Sequence, residues 1–117
     1  PGPADLWTTH ALSPISGVEP MGGLINRLRT FTEQGRPLVT GIHAIGDAHT
    51  CTNPLYGRGC ATAFWGAHLM VAAIEAHPGD PENMLLAYDS ALRAEIHPWY
   101  RASVEQDAEA RRVAAAG

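Results

Sequence analysis

A turn of fifteen residues joins two apolar runs of different character, and the rest of the chain is arranged around it. The turn reads Gly46-Asp47-Ala48-His49-Thr50-Cys51-Thr52-Asn53-Pro54-Leu55-Tyr56-Gly57-Arg58-Gly59-Cys60. The run before it, Leu38 to Ile45, is apolar and partly β-branched, which predicts a strand. The run after it, Ala61 to Ala76, is apolar and long enough for a helix. Gly57 and Gly59 stand at the helix entrance. The first turn of a helix has backbone N–H groups without internal partners, and the helix dipole adds partial positive charge there. Such an end suits an anionic or electron-rich group, and glycines let its atoms approach the backbone. Asp47 is placed to accept hydrogen bonds from hydroxyl groups. The turn is therefore suited to a ligand with both hydroxyls and an electron-rich edge.

Gly46-Asp47, six residues, Pro54, and then Gly57-x-Gly59 opening a helix resemble the second flavin-contacting motif of FAD-dependent oxidoreductases. This is the superfamily of aromatic hydroxylases and other monooxygenases, flavin halogenases and geranylgeranyl reductases. The resemblance covers residues 38–76 closely and the helical tail loosely. It implies that Asp47 binds the ribityl hydroxyls of FAD, and that Pro54 to Gly59, with Gly57 and Arg58 between them, lies beside the isoalloxazine. It implies a helix end favouring negative charge on the reduced ring, with NAD(P)H as reductant. The family's other motif, a Gly-x-Gly-x-x-Gly that holds the pyrophosphate, does not occur in these 117 residues. The expected fold class is accordingly an α+β piece of an FAD/NAD(P)-binding α/β fold, with short N-terminal strands followed by two to three C-terminal helices. Residues 1–37 are expected to end a substrate-domain sheet, 38–77 to carry the motif as strand, loop and helix, and 78–117 to be helical. The expected partner is a missing N-terminal Rossmann part of the same protein. The isolated piece is expected to bind FAD weakly or not at all and to be inactive.

Composition bears on the alternative. Charged residues make up 17% of the chain, below the usual ~25%. Much of the surface must then be apolar, small or uncharged, as in a segment that packs against another. A small helical interaction module, forming homo-oligomers through the uncovered faces of 61–76 and 85–99, is the second reading. The net charge of −4 without a basic patch argues against nucleic acid. No apolar run reaches the ~20 residues that span a bilayer, and a cytoplasmic location is expected. Cys51 and Cys60 are expected as free thiols rather than a disulfide.

Along the chain, Trp7 and Leu12 are candidate anchors in an irregular start. Ile15 to Pro20 reads as a short extended piece, and Met21-Gly22-Gly23 as a turn. Leu24 to Phe31 fits a helix face or an edge strand. The flanking glycines and the hairpin-like Glu33-Gln34-Gly35-Arg36-Pro37 favour the strand. The first helix is expected from Gly59 to His77, with a core stripe of Ala61, Phe64, Trp65, His68, Leu69, Ala72 and Ala76. His77-Pro78-Gly79 ends it. Asp80-Pro81 starts the next helix as N-cap and first residue, with Leu85, Tyr88, Leu92 and Ile96 as its core face, continued by Trp99. Pro98 should break it, and Trp99 to Ala115 forms a third helical stretch.

For the remaining polar residues the functional and structural readings stand side by side. His43 reads as a packed or surface histidine, and His49 as either a ligand contact or a structural residue. His49-x-Cys51 is too tight for a zinc pair, so no metal is expected. Arg58 either approaches the cofactor or faces solvent, and Tyr56 either lines the pocket or packs the turn. His10, His68, His77 and His97 form no evident constellation, and Asp89 and Glu95 read as solvated charges. No catalytic residue is assigned.

Overall fold

The computed structural model describes residues 15–18, 22–23 and 25–117. The expectations for Trp7, Leu12, Pro20 and Met21 lie outside these. The described chain is α+β, with short antiparallel strand pairs followed by three helices.

The strand reading of 24–31 holds at Arg27–Leu28 (β1), which pairs antiparallel with Thr50–Cys51 (β4). Thr32–Glu33 (β2) and Arg36–Pro37 (β3) form the expected hairpin. Its two turn residues, Gln34 and Gly35, both take positive φ (50° and 73°), as a tight turn of the primed type requires. The hairpin continues one step further, where Leu38 N–H donates to Phe31 C=O at 2.8 Å.

The strand expected from Leu38 to Ile45 does not form. Gly41 sits at φ +80°, a left-handed conformation that interrupts an extended run. Leu38, Val39, Ile42 and Ile45 are all exposed, so beyond the Leu38 bond no strand among the described residues pairs with the run. Its end is nonetheless fixed. The buried Tyr88 hydroxyl donates to the Ala44 carbonyl at 3.0 Å, anchoring the entry to the turn on the helices.

The helices are Gly59–Ala76 (α1), Pro81–Glu95 (α2) and His97–Ala116 (α3). Gly79, at φ +74°, turns the chain after α1. Asp80 caps α2 by accepting from Asn83 N–H at 3.1 Å, with Pro81 in the first turn. The bonds from Asn83 hold the Asp80 carboxyl below its ordinary range. The chain breaks at Ile96, ahead of Pro98, which lies in the first turn of α3, where a missing N–H costs nothing.

The core lies between α1 and α2. Leu85, Tyr88, Leu92 and Ile96 are all buried, as the α2 spacing predicts. Trp99 does not continue the line and is half exposed. On α1 the expected stripe is wrong except at Leu69. The buried face is Gly66, Leu69 and Ala73, with Met70 partly covered. Phe64 is 79% exposed, and Trp65 is exposed too. Gly66 faces α2, where a Cβ would make ordinary contact, 3.8 Å from the Tyr88 hydroxyl and 4.0 Å from Leu92 Cδ2. The sequence reading also treated 85–99 as uncovered, whereas the α2 core face is covered by α1. The uncovered apolar face is on α1, at Phe64, Val71 and Ile74. No helix of the described residues is long and apolar enough to cross a membrane.

Candidate functional site

The turn between 46 and 60 is built from two one-turn 3-10 helices separated by β4. Gly46–Ala48 forms the first and Pro54–Tyr56 the second. Gly46 takes φ +56°, and a Cβ on it would stand 3.2 Å from Ala63 Cβ. The turn therefore rests directly on the first turns of α1, and this contact depends on a residue without a side chain. Gly46→Ala is expected to cost roughly 1–3 kcal/mol through the left-handed backbone and the displaced helix contact. A lower denaturation midpoint in urea, with the slope unchanged, is the expected readout.

The Gly46 contact brings Asp47 to the helix entrance. Its exposed carboxylate has Oδ1 3.9 Å from where a Gly59 Cβ would be. The backbone beneath it is held by Arg29, whose Nη1 donates to Ala48 C=O at 2.8 Å and Asp47 C=O at 3.3 Å. Arg29 N–H also donates to His49 C=O at 3.0 Å.

The second half of the turn is held by polar side chains from distant parts of the chain. Asn53 accepts from Leu55 N–H through Oδ1, capping the second 3-10 turn. It also donates to Asp107 Oδ1 at 3.0 Å, and its backbone N–H donates to Asn26 Oδ1 at 2.9 Å. Asn26 Nδ2 donates to the other Asp107 oxygen. Asp107 on α3 thus clamps the loop to the segment before β1. Neither Asn26 nor Asp107 stands out in the sequence, because the spacings of 81 and 54 residues carry no local pattern. Desolvation and the neighbouring Asp107 carboxylate raise the Tyr56 phenol above its ordinary range.

Pro54 is exposed at the start of the second 3-10 turn. Gly57 ends that turn at φ +64°, a left-handed position, with open space around its Cα. Arg58 precedes α1, and its side chain does not cap the helix. Among the described residues the first N–H groups of α1 take no hydrogen-bond partner, and Asp47 approaches them. The Arg58 guanidinium lies 5.7 Å from the Tyr56 ring centre and 5.5 Å from that of Trp99, within cation–π reach of both. Its Nη1 is buried and has no hydrogen-bond partner among the described residues. Of the six residues that the motif singles out, Gly46, Asp47 and Gly59 converge on the start of α1. Pro54 and Gly57 flank that start on the loop, and Arg58 turns to the two aromatic rings.

His49 is structural. It is 3% exposed, shares a 2.6 Å hydrogen bond between Nδ1 and Thr50 Oγ1, and stacks on His97 at 5.8 Å. This corrects the expectation that His97 joins no constellation, since it links β4 to the start of α3. Burial, and after it the His97 ring, push the His49 imidazole down to about 4. Burial and Arg93 lower His97 as well. His43 is half-buried, with Nδ1 unpartnered among the described residues.

The reading of Asp89 as a solvated charge also changes, whereas Glu95 is exposed as expected. Asp89 is largely covered and pairs with Arg93 at 2.6 Å. Glu95 accepts from Trp65 Nε1 at 2.6 Å. Cys51 is half-buried and Cys60 exposed, and both thiols are free. Among the described residues no group of three His, Cys, Asp or Glu side chains is placed to hold a metal ion. A groove of about 550 Å³ lies between α1 and the α2–α3 junction, lined by Arg58, Ala61, Trp65, Glu95, Ile96 and Trp99. No protein-family model matches the chain, and no curated protein or solved structure matches it.

Proposed function

We propose that this chain supplies the second flavin contact of an FAD-dependent oxidoreductase, most like the monooxygenases. The observation that carries the reading is the meeting of the Gly46-Asp47 turn with the uncapped first turn of α1. Asp47 is exposed, and among the described residues its carboxylate takes no hydrogen bond within the fold. It is thus available to accept from the ribityl hydroxyls. The open N–H groups at Gly59 and Cys60 offer donors and positive potential to the N1–C2=O edge. Gly57 and Gly59 leave room for the ring beside the backbone, and Pro54 flanks it. Arg58 adds positive charge at the helix entrance while its guanidinium stays with Tyr56 and Trp99.

Bound flavin would carry the redox chemistry, taking electrons from NAD(P)H and often passing them to O2. The chain's own residues orient the cofactor and stabilise charge on its ring. Pyrophosphate binding falls to a dinucleotide-binding part outside these 117 residues, so the piece alone is expected to hold FAD weakly and to lack activity. In a flavoprotein that contains this segment, Asp47→Ala is expected to weaken FAD retention about tenfold or more, the value of a charge-assisted hydrogen bond or two. Equilibrium dialysis followed by flavin absorbance reads this directly, and unchanged retention would contradict the assignment.

A second reading is a helical module that self-associates. The feature that favours it is the exposed α1 face at Phe64, Val71 and Ile74, with Ile42 and Ile45 also exposed in the run before the turn. Exposed apolar side chains grouped on one helix face mark interaction sites. Sedimentation decides it, because a monomer at all concentrations is the result that this reading does not allow.

A further inference from the structure

We infer that α3 is a releasable arm, held to the rest of the fold mainly by polar contacts, and that a proton on the His49–His97 pair frees it while the α1–α2 core stays folded. The core is built from α1 and α2 and closes at Ile96. In the 20 residues of α3 beyond it, the buried side chains are His97 and Ser103, both polar, and every apolar one is at most partly covered. Ser103 Oγ donates within the helix, to Trp99 C=O at 3.0 Å. A helix without a buried apolar face gains little from docking. Its ties across the fold are three. Asp107 accepts from Asn26 and Asn53, Trp99 lies against the Arg58 guanidinium, and His97 stacks on His49 at 5.8 Å. The break at Ile96 between α2 and α3 supplies the hinge.

Of these ties the histidine stack responds to mild acid. Both rings are buried. His49 Nδ1 is engaged with Thr50 Oγ1 at 2.6 Å, and His97 Nε2 is buried without a partner among the described residues, so a proton there finds no acceptor. The surrounding charges oppose one as well. Arg29 beside β1, Arg93 on α2 and Arg101 on α3 stand against the single carboxylate of Asp89, which already pairs with Arg93 at 2.6 Å. Burial keeps both rings neutral in the docked arm, with His49 held down to about 4. Parting the stack lets water reach the rings, which then take protons at about 6.5. Acid therefore favours release, and release takes Asp107 off the 46–60 turn, whatever that turn binds.

The test is native-state amide hydrogen exchange of the whole chain, read by NMR as protection factors at pH 7 and pH 5. At pH 7 the α3 amides from Ala102 to Ala108 should share one protection factor, about tenfold or more below those of Leu69, Tyr88 and Leu92 in the core. At pH 5 the α3 value should fall about tenfold further, and His49→Gln should remove most of that fall. The comparison of α3 with the core is made on the unaltered protein and does not depend on whether His49→Gln folds. Protection in α3 equal to that of the core would mean that the arm leaves only when the whole chain unfolds. Protection that fades towards the C-terminus with no pH dependence would be fraying. Either result, or a fall that His49→Gln leaves unchanged, would overturn the inference. A failure here leaves the flavin reading intact, since that reading rests on Asp47 and the helix start.

Discussion

Leu92→Ala is expected to destabilise the chain by about 3 kcal/mol, the middle of the range for a buried leucine whose cavity only partly collapses. Leu92 is 3% exposed, at the centre of the contact between α1 and α2. The glycine opposite it, Gly66, has no side chain that could move into the space. Domains of this size hold only about 5–15 kcal/mol in total, and the core here is one helix pair with Leu69, Ala73, Met84, Tyr88, Leu92 and Ile96. The loss should reach the site as well. Tyr88 in the same cluster anchors Ala44 just ahead of the turn, and Ala63 on α1 supports Gly46. Urea unfolding followed by far-UV circular dichroism measures the effect. A change below about 1 kcal/mol, at the edge of what surface substitutions give, would mean that the α1–α2 contact does not organise the fold.

Acid should destabilise the fold well above the pH at which its carboxylates protonate. His49 is buried neutral, with its pKa pushed down to about 4, and His97 stacked on it is lowered too. In the unfolded chain both return to about 6.5. Below that value the unfolded state takes up protons that the folded state does not, so stability falls as pH drops from about 6.5 to 4 and is regained on the way back. Asp89 opposes this by favouring the charged rings, while Arg29, Arg93 and Arg101 reinforce it. The His49 contribution alone is roughly 2–3 kcal/mol across that window. Asp80, held below the ordinary carboxylate range, weakens the fold only at lower pH. Urea midpoints measured between pH 7 and pH 4 should show the slope, and His49→Gln should flatten it. A slope unaltered by the substitution would contradict the buried neutral pair.

Local chemistry was readable where one pattern dominates. The α2 spacing placed Leu85, Tyr88, Leu92 and Ile96 correctly because Asp89, Ser90, Arg93 and Glu95 mark the opposite face, and Asp80-Pro81 marked the start of the helix unambiguously. The hairpin was legible because Gly35, which takes positive φ freely, stands between two short polar-flanked segments ending at Pro37. On α1 the pattern failed for the opposite reason. Almost every residue there is apolar or small, so spacing alone could not choose between the Phe64 face and the Gly66 face. What decided it was the partner, since α2 packs Tyr88 and Leu92 against the Gly66, Leu69 and Ala73 face. The run 38–45 looked like a strand because its residues are β-formers, but strand pairing needs a neighbour, and Gly41 turns the backbone away. The contacts around the turn were legible in kind but not in reach. Gly46 and Gly57 were recognisable as turn residues, and both take positive φ. The Asn26–Asp107–Asn53 clamp and the His49–His97 stack join residues that no local spacing relates.

The proposal that a flavin binds at the Asp47 turn is tested most directly by an NMR titration of the 117-residue protein with FAD. Weak, saturable shifts of the backbone amides at Gly46, Asp47, Gly57, Gly59 and Cys60 are predicted, and Asp47→Ala should abolish them while leaving the α2 amides in place. Shifts confined to other residues, or a response unchanged by Asp47→Ala, would contradict it.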